Sequence, residues 1–495
     1  MKILELRAPL TCLFGLLLAA GCAGCNSGSR DGATPTQSTQ APATQAPTTQ
    51  APAAPTAPTT SGASSSLAPA PAAPAGGPIQ TFASGITPTQ ELFVATTGDD
   101  QSGDGSAARP FATLQRAAQQ AAPGTAIRLQ PGTYAGGVSL GNLSGAPSAP
   151  IWIGGVPGQA KPVLQGGNTG IQLSRVRYLV LADLVVSGAA LNGINVDDGG
   201  AYADPEATRY VSLERLEIRD VGTGGNHDGL KLSGLDDFFV LDCVIERIDA
   251  GSGIDHVGCH AGLIARCRLV DTGSNGIQLK GGTRDVEVRW CTFVNPGQRG
   301  LNIGGSTGDP YFRPPLSTSA ANVEASQIRV VGNVIQGGVT AFGFVGATDC
   351  VVSNTTVIDP QTWLFRVLQE RTTGGGYTFT ETQNCTVQNT LFYYSSASIR
   401  AHVNVGPNTQ PATYTLSNNL YFAHDAATQQ APSLPAASQG DVLADPQLVD
   451  PANGDYSLGP NSPARAAGLA QQHLAEDLAG NAFQATPAIG AYAAN

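Results

Sequence analysis

The chain has 495 residues, of which only 13% are charged, and its formal net charge at pH 7 is −11. A negative chain with so few charges repels polyanions, which argues against a nucleic acid or an anionic membrane surface as its binding target. An acidic ligand would therefore have to meet a local cluster of positive side chains.

The N-terminus predicts export. A basic head is followed by an apolar run over 10–20 and then by small residues before Cys22. This is the order of a signal peptide, and the run is too short to span a bilayer. The segment resembles a bacterial lipobox, which implies a signal peptide at 1–21, a lipid anchor on Cys22 and, with Ala23 next, a place at the outer membrane or cell surface. An ordinary secretory signal is the alternative.

Residues 22–80 predict a disordered tether. Ala, Pro, Thr, Gln, Ser and Gly make up almost all of this stretch. Such a composition cannot bury enough apolar surface to offset the chain entropy of folding. No second linker interrupts the residues that follow, so either two domains abut or one elongated fold runs the whole length.

Short strands repeat after residue 190. Glycine followed by an apolar residue, a polar residue and a fourth residue that is apolar in all segments except for His256 recurs at 193–196, 229–232, 253–256, 276–279 and 300–303. The last four segments begin 24, 23 and 24 residues apart. Between these segments lies a second recurring strand, as at 210–213 and 239–242. A period in the low twenties built from short alternating strands predicts a β-solenoid with one coil per repeat.

The cysteines follow the same period. Cys243, Cys267 and Cys291 are each 24 residues apart, and we place Asn333, Asn354 and Asn389 at the matching point of later coils. Cysteine at this position serves as a small buried filler. Neighbouring coils are about 4.8 Å apart, so a disulfide in the exported protein is the alternative.

Both ends of the repeat region fit the same fold. A strand at 91–96, an amphipathic helix at 110–122 and a strand at 127–134 would close the open end of the coils. This entry segment and the tail at 444–492 resemble right-handed parallel β-helix proteins of the pectate-lyase superfamily. The resemblance implies an all-β solenoid with an N-terminal capping helix. We assign the cap to 81–145, the coils to 146–430 and the end segment to 431–495.

Alternation along the strands defines an outward surface. If the apolar residue after each glycine points inward, its neighbours point outward. One outward column is then Asn195, Lys231, Asp255, Gln278 and Asn302, and a second column is Asp197, Ser233, Val257, Lys280 and Gly304. A long ribbon of amides, carboxylates and amines suits a polysaccharide, whose hydroxyls need many hydrogen-bonding partners.

Lysine is rare after Cys22 and concentrated on this ribbon. Only Lys161, Lys231 and Lys280 occur, and two of these three lie in the outward columns. β-Elimination of a uronic acid needs a base that removes the proton beside the carboxylate and a cation that neutralises this carboxylate. We predict Lys280 as the base and Lys231 as the cation. Alternatively, both are solvated surface lysines.

Two segments resemble polysaccharide lyases. Asn-His-Asp-Gly-Leu-Lys-Leu at 226–232 is similar to the Asn-Asp-Asp-Gly-x-Asp-Leu calcium segment of family 9 pectate lyases, with His227 and Lys231 in place of acids. The strand of Lys280 is similar to the lysine-bearing strand of family 9 and of the chondroitinase B and alginate lyase group. The latter group implies an arginine-histidine pair one coil later, where this chain has Ile303-Gly304-Gly305 and only Arg299 nearby.

These observations define the candidate site and its alternatives. Asp197, Asp228 and Asp255 are candidate Ca²⁺ ligands because carboxylates are hard oxygen donors; otherwise they cap turns. The predicted substrate-binding residues are Asn195, Asn226, His227, Asp255, Gln278, Arg299, Asn302 and Tyr311, the last on an insert at 306–325 that would wall the groove.

The predicted function is that of a surface-anchored, monomeric polysaccharide lyase acting on uronate-containing glycans. A glycoside hydrolase that uses two of the three aspartates is one alternative. A non-catalytic glycan-binding or envelope protein is another, since this superfamily hosts many activities.

Overall fold

The computed structural model describes residues 79–470 and 474–494, all of which belong to one compact unit. The predicted signal peptide, Cys22 and nearly all of the predicted tether lie outside the described residues. Among the residues described, no helix is long and apolar enough to cross a membrane.

Ten parallel strands form the sheet that carries the outward columns, here called the site sheet. In chain order they are β1 (Val138–Gly141), β2 (Ile171–Ser174), β3 (Ile194–Asp197), β4 (Leu230–Ser233), β5 (Ile254–Val257), β6 (Asn275–Lys280), β7 (Arg299–Gly304), β8 (Thr340–Val345), β9 (Trp363–Leu368) and β10 (Val403–Val405). Each strand pairs only with the equivalent strand of the preceding and following coil, so the described coils stack as a parallel β-helix.

Two further parallel sheets complete the coils of the described region. The larger contains Gln90–Val94, Thr125–Leu129, Ile151–Gly155, Arg177–Ala182, Arg209–Glu214, Asp236–Leu241, His260–Ala265, Thr283–Arg289, Ala325–Ser326, Arg329–Val331, Ala347–Thr348, Val351–Ser353, Thr386–Gln388, Thr415–Ser417 and Ser438–Gln439. The other contains Thr133–Ala135, Val163–Gln165, Val185–Ser187, Glu217–Val221, Val244–Ile248, Arg268–Thr272, Thr292–Pro296, Val334–Gln336, Thr356–Ile358, Leu391–Tyr394 and Leu420–Ala423. Two short antiparallel pairs, Thr373–Gly374 with Tyr377–Thr378 and Leu448–Asp450 with Asp455–Leu458, lie outside the coils, as do 3₁₀ turns at Asp309–Tyr311, Pro411–Thr413 and Pro451–Asn453.

Apolar side chains stack inside the coils. The first inward column of the site sheet is Ile171, Ile194, Leu230, Ile254, Ile277, Leu301, Phe342 and Phe365, and all eight side chains are fully buried. Burying one such side chain contributes about 1.5–3 kcal/mol. A shift of one residue would turn this column to solvent, so the inward column fixes the register of the outward one.

The helix predicted at the N-terminal end is present but short. It spans Leu114–Ala118 and lies between strands Gln90–Val94 and Thr125–Leu129, as the sequence predicted. Thr113 caps it by accepting a hydrogen bond from the Arg116 amide. Leu114, Ala117 and Ala118 are buried against the first strands, so the helix covers the open end of the core.

The residues at the cysteine position of successive coils, at the turn after the larger sheet, are partly as predicted. Cys243, Cys267 and Cys291 are buried free thiols, which confirms them as filler. Asn333 does follow Cys291 and accepts a hydrogen bond from its amide at 2.8 Å. Placing Asn354 and Asn389 at the same point was wrong, because strand register puts both one residue earlier.

The physical reason for that shift is backbone conformation. Asn354 and Asn389 have φ of 44° and 50°, the left-handed region that Asn tolerates better than most residues. The position that matches the cysteines is taken by Thr355 and Thr390, both buried. Asparagine therefore marks the left-handed turn residue here, while the adjacent position fills the core.

Candidate active site

The outward columns have the predicted register. Asn195, Lys231, Asp255, Gln278 and Asn302 are direct neighbours on consecutive strands β3 to β7. Asp197, Ser233, Val257 and Lys280 form the second column over β3 to β6. The chemistry-bearing side chains are therefore brought together by strand stacking alone.

Two lysines share one buried aspartate at the centre of this surface. Lys231 Nζ lies 2.6 Å from Asp255 Oδ2 and 3.1 Å from Asp228 Oδ2. Lys280 Nζ lies 3.3 Å from Asp255 Oδ1, on the other side of the same carboxylate. The two aspartate side chains are 0% and 1% exposed, whereas those of Lys231 and Lys280 are 24% and 12% exposed. The charges of this Lys–Asp cluster balance, and its amines face the solvent side.

Burial and ion pairing oppose each other within the Lys–Asp cluster. Burial lowers the pKa of Lys231, but Asp255 and Asp228 outweigh it and raise that pKa above its ordinary value. Burial would raise the pKa of Asp255, yet Lys231 and Lys280 hold it below its ordinary value. Burial together with the Asp255 charge raises the pKa of Asp228. Lys231 is therefore held as an ammonium ion between two carboxyl groups.

A groove of about 620 Å³ lies over the Lys–Asp cluster. Its floor comes from β3 to β6 and its walls from the loop after β3 and the insert after β7. Its lining includes Asn192, Asn195, Asp197, Asp198, Tyr202, Asn226, Lys231, Asp255, Lys280, Thr307, Tyr311 and Arg313. Tyr202 and Tyr311 meet edge to face with ring centroids 6.3 Å apart, and Tyr311 is 57% exposed. The groove thus joins polar groups with two aromatic rings, a composition that fits a sugar chain.

Arg313 fixes the insert to the coils. Its side chain is 3% exposed, ion-pairs with Asp236 and donates to the Gly258 carbonyl oxygen at 3.1 Å. His260 lies beside the pair, with Nδ1 3.0 Å from Arg313 Nη1. Burial opposes ionisation of Asp236, but His260 and Arg313 hold its pKa below the ordinary value.

Glu324 joins the two ends of the insert. One carboxylate oxygen accepts the Thr307 amide at 2.9 Å, and the other accepts the Gly281 amide at 2.9 Å and the Thr307 hydroxyl at 2.8 Å. Gly281 directly follows Lys280. The same carboxylate therefore holds both the groove wall and the end of the strand that carries Lys280.

The carboxylates at the far side of the groove differ in environment. Asp197 Oδ2 accepts hydrogen bonds from Gln172 at 2.7 Å and Asn195 at 2.9 Å. Asp198 is 2% exposed, and burial raises its pKa even though Oδ1 accepts the Gly200 amide. Its Oδ2 atom is buried and has no hydrogen-bond donor in the described structure.

The three predicted calcium ligands do not fit a calcium site. Lys231 Nζ occupies the space between Asp228 and Asp255, and Asp197 is held by amide groups of its own column. Within the described residues, no group of three or more His, Cys, Asp and Glu side chains is placed to hold a metal ion. We derive no step through calcium, and the prediction of calcium stays untested.

The predicted residues fall into two groups by position. Lys231, Lys280, Asn195, Asn226, Asp197, Asp255 and Tyr311 line the groove. Gln278, Asn302 and Arg299 lie farther along the site sheet, Asp228 lies beneath Lys231, and His227 lies outside the groove lining. None of these placements tests a role in binding or catalysis.

Sequence reasoning missed Asp198, Tyr202 and Arg313. Only Asp198 carried a local signal, since it directly follows the outward Asp197 at the end of β3. Tyr202 and Arg313 reach the groove through loops, and Arg313 meets Asp236 across 77 positions of sequence. No repeat period predicts such a contact.

His256 points into the core, on the same face of β5 as Ile254. It is 0% exposed and its Nδ1 lies 3.2 Å from the Gln278 carbonyl oxygen. Burial lowers the pKa of His256 to about 4, so the ring is neutral at pH 7. It lies between Leu232 and Leu279 in the inward column, where it acts as a hydrogen-bonded core residue.

Comparison with known proteins identifies the fold. Residues 163–314 match a family model described as a right-handed β-helix region. No curated protein matches the chain significantly. The chain therefore has the right-handed parallel β-helix fold, which agrees with the resemblance found in its sequence.

Solved structures share this fold at low sequence identity. The pectate lyase Pel9A is 16% identical, with a TM-score of 0.55 over 83% of this chain and 98% of that chain. A rhamnogalacturonan lyase is 14% identical, with a TM-score of 0.50 over 73% of this chain and 90% of the other. A lacto-N-biosidase from Eubacterium ramulus is 15% identical, with a TM-score of 0.46 over 72% and 68%. At these identities the likeness to the first two structures shows the fold alone.

Proposed function

We propose that the protein binds an acidic polysaccharide in the groove and cleaves it by β-elimination. The observation that carries this proposal is the Lys–Asp cluster, in which one amine is locked as a cation and a second amine lies beside it. The scaffold is shared with structures named pectate lyase and rhamnogalacturonan lyase, which supports a polysaccharide as ligand without fixing the reaction.

The two lysines differ in the number and length of their ion pairs. Lys231 is bound by two buried carboxylates, at 2.6 and 3.1 Å, so its charge is available to neutralise a uronate carboxylate. Lys280 has one longer ion pair, at 3.3 Å, and is the amine that can act as a base. This division of roles agrees with the prediction made from the sequence.

The proposed reaction is an elimination across C4 and C5 of the uronate. The Lys280 ammonium group first releases a proton to solvent, and the neutral amine then removes the C5 proton beside the uronate carboxylate, whose charge Lys231 stabilises as the carbanion-like state develops. The electron pair forms the C4–C5 double bond, the C4–O glycosidic bond breaks, and the leaving oxygen takes a proton from water. Lys280 then loses its proton to solvent.

The arrangement favours elimination over hydrolysis by two carboxylates. Hydrolysis would need one carboxylic acid and one carboxylate on either side of the bond. Asp228 and Asp255 are buried beneath Lys231, and Asp197 is held by amide donors, so none of the three predicted acids stands free in the groove. A groove without catalysis remains the second candidate, because its polar lining and tyrosine pair suit plain glycan binding.

Location is a separate proposal. We propose that Cys22 is lipidated and that the tether places the β-helix away from an outer membrane or cell surface. The supporting observations are the signal-like segment at 1–21 and the composition of 22–80. Cys22→Ser should release the protein from the membrane fraction of a bacterial host, and continued retention would contradict the anchor.

The function is tested with the Cys22→Ser chain, which should be released from the membrane, and a panel of pectate, alginate and glycosaminoglycans. Ultraviolet absorbance reports unsaturated uronate ends directly. Wild type should produce them with one of these glycans in the presence of excess EDTA, and Lys280→Ala should lower the rate at least about a hundredfold. Lys161→Ala is the matched control, because this lysine pairs with Glu217 on another sheet. No absorbance rise with any glycan, with or without Ca²⁺, would contradict the proposal.

A further inference from the structure

The outward column does not end at the groove. Beyond Asp255 it continues through Gln278, Asn302, Gly343 and Arg366 to Asn404 on β10. Asn302 is 3% exposed, and its buried Oδ1 atom has no hydrogen-bond donor in the described structure. The site sheet therefore presents a second set of polar groups to the C-terminal side of the groove.

Two arginines meet at this second location. Gly343 has no side chain, and an added Cβ there would lie 3.5 Å from both Cδ and Nε of Arg299. Arg299 therefore runs across the bare position in the column. Arg366 is the next residue of that column, and its charge is close enough to Arg299 for the two to repel each other.

Neither arginine has a carboxylate partner within the described residues. Arg299 makes no ion pair, and its Nε atom is buried without a hydrogen-bond acceptor. Arg366 donates to Asn404 Oδ1 at 2.9 Å and lies over the Trp363 ring at 4.4 Å, but it also makes no ion pair. Glu370 acts on both charges electrostatically without forming an ion pair with either.

This placement is costly without a ligand. Burial lowers the pKa of Arg299, and burial with the Arg299 charge lowers the pKa of Arg366 to about 10. Two half-buried cations side by side disfavour each other until an anion neutralises them. The planar guanidinium group binds carboxylate and sulfate in a bidentate manner, so these are the ligands it fits.

The distance from the Lys–Asp cluster suits one extended glycan. Arg366 lies three strands beyond Lys280, and stacked strands are about 4.8 Å apart, which gives a separation of about 14 Å along the sheet. A sugar chain lying along the column would pass Gln278 and Asn302, whose amides suit its hydroxyls. Its next acidic groups would then reach the arginines.

We infer that Arg299 and Arg366 form an anion subsite for a carboxylate or sulfate group of the polysaccharide, a few sugars from the cleaved bond. This inference rests on the proposed function, because it assumes that the glycan crosses the Lys–Asp cluster. It adds, on the later coils, two cations without ion pairs to the paired ammonium group of Lys231 that faces the cleaved bond.

The test measures binding rather than turnover. Wild type, the double variant Arg299→Gln with Arg366→Gln, and Arg329→Gln are titrated by calorimetry with pectate, dextran sulfate and neutral dextran. Arg329 is the matched control, since it pairs with Glu287 on the larger sheet. Thermal unfolding confirms that each variant is folded.

The double variant should bind pectate at least about tenfold more weakly and show a smaller salt dependence, while Arg329→Gln and all dextran titrations stay unchanged. A parallel loss with dextran sulfate assigns the subsite to anions in general, and a loss with pectate alone assigns it to carboxylate. Equal binding by wild type and double variant to both polyanions, or no binding by wild type, would overturn the inference.

Failure of this inference is distinguishable from failure of the proposed function. Unsaturated product that depends on Lys280, together with unchanged binding by the double variant, keeps the lyase and rejects the subsite. Conversely, weakened anion binding without any unsaturated product keeps the subsite and rejects the lyase.

Discussion

Strands β4–β6 and β7–β9 belong to one sheet but handle charge in opposite ways. On β4–β6, Lys231 and Lys280 are neutralised by buried aspartates. On β7–β9, Arg299 and Arg366 have no carboxylate partner in the described structure. A cation that the fold already pairs is held in place before a ligand arrives, whereas an unpaired cation lowers its energy only when a ligand binds. The paired cations of β4–β6 suit a role in the reaction, and the unpaired cations of β7–β9 suit binding of an anionic ligand.

The interior beneath β4–β6 is also more polar than the interior beneath β8 and β9. Under β4–β6 the second inward column contains the polar His256, whereas under β8 and β9 it contains Phe344 and Val367. The earlier coils therefore have titratable groups on both faces of the sheet. Their stability should depend on pH and on single charges more than that of the later coils.

The largest expected effect comes from breaking the shared carboxylate. Asp255→Asn leaves Lys280 without its ion pair and Lys231 with only Asp228, so it should lower the free energy of unfolding by about 3–5 kcal/mol. Urea denaturation measures this loss. Asp220→Asn, which breaks an exposed pair with Arg247, should cost less than about 1 kcal/mol. Similar losses in both variants would show that the Lys–Asp cluster is not a special pairing.

Removing the positive charge of Lys231 should slow the reaction. Lys231→Met keeps much of the side-chain volume but leaves a uronate carboxylate without its counter-charge, so the rate of unsaturated product formation should fall about 10²- to 10³-fold. Lys161→Met is the control and should keep the wild-type rate. A Lys231→Met rate near wild type would remove Lys231 from the mechanism.

Because of the buried His256, we expect the free energy of unfolding to change with pH by about 3 kcal/mol. Burial lowers the pKa of His256 to about 4, below the ordinary value of 6.5. Between these values the unfolded chain binds a proton that the folded chain does not, so stability falls as the pH is lowered from 6.5 to 4. His256→Leu, which matches Leu232 and Leu279, should lose less stability over this interval. Equal pH profiles of wild type and variant would contradict a neutral core histidine.

The smallest expected effect is on the free energy of unfolding, and it is a gain in stability instead of a loss. Arg299→Gln removes a cation that has no ion pair in the described structure and that repels Arg366. We expect the free energy of unfolding to stay level or rise by up to about 1 kcal/mol, measured in urea without added polyanion. A clear destabilisation would mean that the fold itself needs this arginine.

Alternation and period predicted the parts of the structure that repeat. The inward column from Ile194 to Leu301 fixes the register of each strand, so Lys231 and Asp255 could be placed side by side from sequence alone. Turn positions were less predictable. Asn354 occupies the turn position with a left-handed backbone, one residue before the core position that the cysteines fill. The groove walls could not be predicted, since Arg313 and Tyr202 reach the site through loops whose paths carry no period.

The two anchors of the insert have a consequence for kinetics. Arg313 and Glu324 are both buried, and they hold the middle and the two ends of the insert in place. The insert is therefore already in place along the groove, so its closure should not limit turnover. Stopped-flow association should then be a single phase whose observed rate rises linearly with glycan concentration, without the plateau that a slow isomerisation produces.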